Sequence, residues 1–67
     1  MDKSLDEFEE WVVVRLGGEV WHGEVDTFAR TTHLAKTFEK VAGKLWRPYH
    51  YGVKNVRTGS ILPAVIL

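Results

Sequence analysis

The sequence predicts a small α+β domain of order ββαββ, an antiparallel sheet packed on one helix. Three observations predict it. WVVVRLGG, Trp11 to Gly18, is a β-branched and aromatic run closed by a glycine pair. Between Thr31 and Leu45 the apolar residues recur at three and four, the period of a helix. After Pro48 the chain returns to β character, in YHYGVKN and then ILPAVIL.

Taken in order, Trp11 to Leu16 form the first strand, and Gly17-Gly18 supplies the positive φ angles of a two-residue hairpin turn. The second strand is placed at Glu19 to Phe28, with Gly23 marking a bulge or a close backbone approach. Thr31 or Thr32 caps the helix, Leu34, Ala35, Phe38, Val41, Ala42 and Leu45 are its apolar positions, and Gly43 ends it. Pro48 pushes Arg47 into an extended conformation, so Trp46 and Arg47 lead into a third strand. On that strand Tyr49, Tyr51 and Val53 share one face, with His50, Gly52 and Lys54 on the other. Arg57-Thr58-Gly59 is a turn, and the last strand, Ile61 to Leu67, lies at an edge because Pro63 has no N–H to donate to a ladder.

Residues 1–10 stand apart from this domain, which occupies 11–67. Asp2, Asp6, Glu7, Glu9 and Glu10 against Lys3 give them a charge of −4, balanced by a basic remainder to the net charge of zero. Ser4 to Glu7 matches a capping box, and Leu5 and Phe8 have helical spacing, so the segment is either a frayed acidic arm or a short helix. It lacks the basic start and apolar run of a signal peptide, and no stretch approaches the roughly 18 apolar residues of a membrane span. A cytoplasmic protein without membrane contact is expected.

A chain of 67 residues without cysteine has neither disulfide nor thiolate metal site to support its small core. Its three tryptophans, two tyrosines and three phenylalanines are more large apolar surface than one helix covers. Trp11 and Val13 point one way while Val12, Val14 and Leu16 point the other, so both faces of the sheet call for burial. A partner or a second copy is expected to supply it, the favoured assembly being a two-fold homodimer anchored by Trp11, Trp21, Tyr49 or Tyr51. A fold-back of Leu5 and Phe8 within one chain is the alternative.

The residues carry little chemistry that would make an enzyme. His22, His33 and His50 lack metal-site spacing. A cross-strand His22 and His50 acid–base pair with Lys54 beside it is outweighed by ordinary packing, and Glu24 and Asp26 have no opposing acid. RTG is too short for a phosphate loop. No catalytic residue, metal or cofactor is assigned. Binding is better supported: Trp11, Trp21, Trp46, Arg47, Tyr49, Tyr51, Lys54 and Arg57 are the candidate partner-binding residues. Among them, Arg47, Tyr49, Tyr51, Lys54 and Arg57 pair cations with flat rings, the combination by which single-stranded nucleic acid is held. The same residues across a dimer would suit a trapped nucleotide.

WVVVRLGGEVWHGEVDTFART, the helix with Ala35 and Phe38, and VKNVRTGSIL together resemble a pattern of small accessory proteins of tailed bacteriophages and prophages. There a strand pair leads into a threonine-capped helix, and an Asn-x-x-Thr-Gly turn, here Asn55, Thr58 and Gly59, joins the last two strands. The resemblance implies a non-enzymatic module that binds and inhibits or modulates a host protein, such as a defence or transcription factor, in the host cytoplasm. It carries over no catalytic residue. The LPAVIL ending and the acidic opening depart from the pattern and leave the partner surface unassigned.

Overall fold

The structure, a computed structural model, describes residues 8–67. The order is as expected: β1 (Trp11–Arg15), β2 (Val20–Trp21), α1 (Phe28–Lys44), β3 (Tyr51–Asn55) and β4 (Ile61–Pro63), closed by a 3-10 turn at Ala64–Ile66. The proposed capping box at Ser4 to Glu7 and the fold-back contact of Leu5 lie outside the described residues.

All neighbouring strands are antiparallel, and their order across the sheet is β2-β1-β3-β4. β2 and β3 therefore run parallel to each other with β1 between them, and α1 is the crossover that joins them, the split βαβ arrangement. Val13 faces Val53, and Val53 faces Leu62, so these three side chains share one side of the sheet. On that side Val13, Tyr51 and Val53 form the core with Ala35, Ala42 and Ala64, while Trp11, Phe28, Tyr49, Leu62 and Leu67 pack around it. Trp11 meets Phe28 edge-on at 4.8 Å, which places the start of α1 over the start of β1.

β1 is buried on both faces, as WVVVR demands: Val12, Val13 and Val14 are each at most 1% exposed. Each such side chain contributes about 1.5–3 kcal/mol. Val12 and Val14 lie on the face away from α1, beside Lys54, Gly52 and Trp21 in the ladder. The open sheet face on which the homodimer was expected to form is therefore not found along β1. Gly52 lets β4 come close, since a Cβ there would lie 2.5 Å from the Leu62 carbonyl oxygen.

Several boundaries depart from expectation. The β1–β2 connection is four residues, 16–19, because Arg15 rather than Leu16 is the last paired residue. Leu16 instead donates its N–H to the His50 carbonyl, 2.8 Å away. β2 is much shorter than Glu19 to Phe28. An unbroken register would set Glu24 opposite Trp11, yet Asp26 is there, so two extra residues bulge out around Gly23, whose φ is +101°.

The helix begins four residues early, capped by Thr27 rather than Thr31 or Thr32. Thr27 Oγ1 accepts from the Arg30 N–H, and Thr31 is buried in the first turns, its hydroxyl donating to the Thr27 carbonyl at 2.9 Å. Gly43 lies inside the helix. The left-handed position falls on Trp46, at φ +57°, with Arg47 N–H bonded to the Ala42 carbonyl at 2.9 Å and Trp46 N–H to that of Gly43 at 3.2 Å. Those two bonds make a Schellman cap with tryptophan where glycine is usual. Trp46 and Arg47 thus terminate α1 instead of opening a strand. β4 is an edge strand with Pro63 in it, as expected, but spans three residues and not seven.

Candidate docking surface

Along the middle of α1 the side chains fully buried against the sheet are small, with the large rings of Phe28 and Phe38 touching Trp11 and Tyr51 at its margins. Its buried residues are Thr31, Ala35 and Ala42. Leu34, Phe38, Val41 and Leu45 are 37–57% exposed. At about 100° per residue these four fall within one narrow stripe beside the buried one. Phe38 is the hinge between the two: its ring stacks on Tyr51 at 5.3 Å and tilts against His22 at 5.5 Å. Because His22 follows directly on β2, the apolar stripe overhangs that edge, and exposed Val20 lies two residues along on the same face. At its N-terminal end an open groove of about 440 Å³ is lined by Asp26, Ala29, Arg30, His33 and Leu34.

Trp46 stands at the other end and is 95% exposed. A bulky residue in left-handed conformation costs about 1–2 kcal/mol, and here the indole buries almost nothing in return. Pro48, two residues on, keeps the chain from continuing the helix, so the indole is held out beyond the last turn.

The structure disperses the eight residues proposed from sequence. Trp46 and Arg47 are exposed side by side at the helix end. Tyr51 is buried, Trp11 is packed on Phe28, and Tyr49 lies against the core with the Arg15 guanidinium 4.7 Å above its ring. Lys54 is on the opposite sheet face, 3.1 Å from the Glu19 carboxylate, and Arg57 Nε lies 3.3 Å from that of Glu10. Trp21 is half exposed on the Lys54 side. The cation-and-ring face formed by Arg47, Tyr49, Tyr51, Lys54 and Arg57 is thus not assembled: its rings turn into the core and two of its cations are paired.

The polar clusters that do form serve the fold. Asn55 is buried, its Oδ1 accepts from the Arg57 and Thr58 N–H groups at 2.9 and 3.0 Å, and its Nδ2 donates to Glu10. With Gly59 at φ +82° this is the Asn-Thr-Gly turn read from sequence. His50 is paired with Glu39 at 2.8 Å, His22 is enclosed by Phe38 and Tyr51, and His33 is exposed on α1. The described residues contain no group of three or more His, Asp or Glu placed to hold a metal ion, and no helix among them is long and apolar enough to cross a membrane.

Sequence reasoning read Leu34, Phe38, Val41 and Leu45 together with Ala35 and Ala42 as one set of apolar helix positions and did not count them among the partner-binding residues. The missed signal is the width of the apolar arc. Thr31, Ala35 and Ala42 already make a sheet-facing stripe, so Leu34, Val41 and Leu45 beside it are surplus to it, with Phe38 at the boundary. Comparison with protein-family models, curated proteins and solved structures finds no match, so the functional reading rests on this geometry.

Proposed function

We propose that this chain is a non-enzymatic protein-binding module that docks through the exposed flank of α1, with Leu34, Phe38, Val41 and Leu45 as the contact and Trp46 as its anchor. The observation that carries the reading is the arrangement of α1: alanines face the sheet while Leu34, Val41 and Leu45, with one edge of Phe38, face water, at a cost in solvation that a partner would relieve. Trp46 reinforces it, since an exposed aromatic held in a strained conformation is the kind of residue that dominates interface energetics. In keeping with the sequence resemblance, the proposed role is that of a phage accessory protein acting on one host protein in the bacterial cytoplasm. The nucleic-acid and nucleotide readings gain no support from the dispersed tyrosines and paired cations.

The test is comparative capture from bacterial lysate on immobilised full-length chain, with Val41→Asp and Trp46→Ala alongside. Val41 is about half exposed and Trp46 almost fully so, and circular dichroism checks that both variants are folded. Recovery of a protein by the parent chain and its loss with either variant supports the reading. Equal recovery by all three chains, or recovery of nothing, contradicts it.

A further inference from the structure

We infer that the occupant of this flank is an amphipathic helix of a partner protein, with carboxylates bordering its apolar seam. The inference rests on the docking proposal above and adds the shape and charge of what docks.

The shape follows from spacing. Leu34, Phe38, Val41 and Leu45 are separated by four, three and four residues, the alternation of a coiled-coil seam. Side chains so spaced leave holes that the same spacing on a second helix fills, whereas an extended strand presents a side chain to one face every second residue. Eleven helical steps from Leu34 to Leu45 span roughly 16 Å, which a partner helix of about three turns covers.

The charge follows from what borders the seam. Along its outer edge stand Arg30, Thr37 and Lys44, seven residues apart, with Arg47 just beyond the cap. Along its inner edge Ala35 and Ala42 are buried against the sheet. Arg30 is 3.8 Å from Asp26, with most of its side chain exposed. The acid within α1, Glu39, lies across the buried stripe from the seam and is engaged by His50. Among the described residues Lys44 and Arg47 have no ionic partner.

A second copy fits poorly. Packed antiparallel through the same seam, with Leu34 level with the equivalent Leu45, it would bring Thr37 and no acid beside Lys44, and packed parallel it would offer the cations only buried alanines. A partner helix carrying Glu or Asp at the facing positions meets each cation with an opposite charge, which selects it over neutral or basic helices.

The test uses the full chain and two fluorescent peptides of about three heptads, both with leucine along the seam, one bordered by Glu and the other by Lys. Anisotropy titrations at low salt are expected to show the Glu-bordered peptide binding about tenfold more tightly or better. Raising the salt to about 0.5 M should shrink the ratio. In the exposed double variant Arg30→Glu, Lys44→Glu, with folding checked by circular dichroism, the preference should invert. Equal binding of both peptides would overturn the charge assignment while leaving the docking surface standing, because Val41→Asp would still weaken both. Failure of both peptides to bind overturns the helix occupant, with the docking proposal then judged on the capture experiment alone. Binding to phosphatidylserine vesicles, lost in Val41→Asp, without peptide binding would assign the flank to a membrane surface and overturn the inference.

Discussion

Trp46→Gly is expected to make this protein more stable and less able to bind. The residue sits at the left-handed position of the helix cap, with φ +57°. Relieving an L-residue of that conformation is worth about 1–2 kcal/mol. Glycine gives back about 0.4–1 kcal/mol through the greater freedom of the unfolded chain. Truncation removes little burial because the side chain is 95% exposed. The net gain is about 0.5–1 kcal/mol, or roughly 2–8 °C in Tm for a domain of this size. Differential scanning calorimetry measures it. Trp46→Ala separates the two effects, since alanine keeps the left-handed strain: it should melt near the parent chain yet lose partner affinity as Trp46→Gly does, by about 2 kcal/mol if the indole is an anchor. A Trp46→Gly protein that melts below the parent would refute the reasoning, because the indole would then be contributing packing and its exposure would need no functional cause.

Substitutions at three further positions probe the fold beneath the site, all read by urea titration. Gly52→Ala places a Cβ 2.5 Å from the Leu62 carbonyl oxygen and 3.1 Å from Pro63 Cα, both backbone atoms, so β4 must move and the loss should be about 1–3 kcal/mol. An unchanged midpoint would mean that β4 is not held against β3 as described. Asn55→Ala strips the acceptor from the Arg57 and Thr58 N–H groups and should cost about 2 kcal/mol, more than Asn55→Asp, which keeps that acceptor but faces the Glu10 carboxylate. The reverse ranking would assign the stabilisation to the Glu10 contact instead of the turn. His22→Phe removes an Nε2 that is buried without a partner beneath Phe38 and should be neutral or stabilising by up to about 1 kcal/mol. A clear loss would show that this nitrogen finds a partner in solution.

Local chemistry made the element order legible. WVVVR strongly favours a strand, Pro48 ends helical conformation, and Pro63 belongs at an edge. The sheet order was not legible, because the insertion of β1 between β2 and β3 is set by pairings such as Val13 with Val53, forty residues apart. Helix ends were misplaced where tertiary contact overrode local preference. Thr31 is as good a cap as Thr27 by type, but packing of Phe28 on Trp11 rewards an additional turn. Gly43 would stop a free helix, yet burial of Ala42 against the core holds the last turn in place and passes the left-handed position on to Trp46. The candidate site was half visible. Trp46 and Arg47 stood out by type, while Leu34, Phe38, Val41 and Leu45 were not separated from Ala35 and Ala42, since periodicity shows that residues share a face without showing which part of it looks outward.

Site-specific photo-crosslinking tests the central claim most directly. A benzophenone amino acid placed in turn at Leu34, Val41 and Trp46 reports the helix flank, and at Trp21 and Val65 it reports two other exposed apolar positions. With bacterial lysate, one crosslinked partner protein is expected from all three flank positions and none from Trp21 or Val65. Crosslinks confined to Trp21 or Val65, or a flank product whose mass is that of two copies of this chain, would contradict the claim.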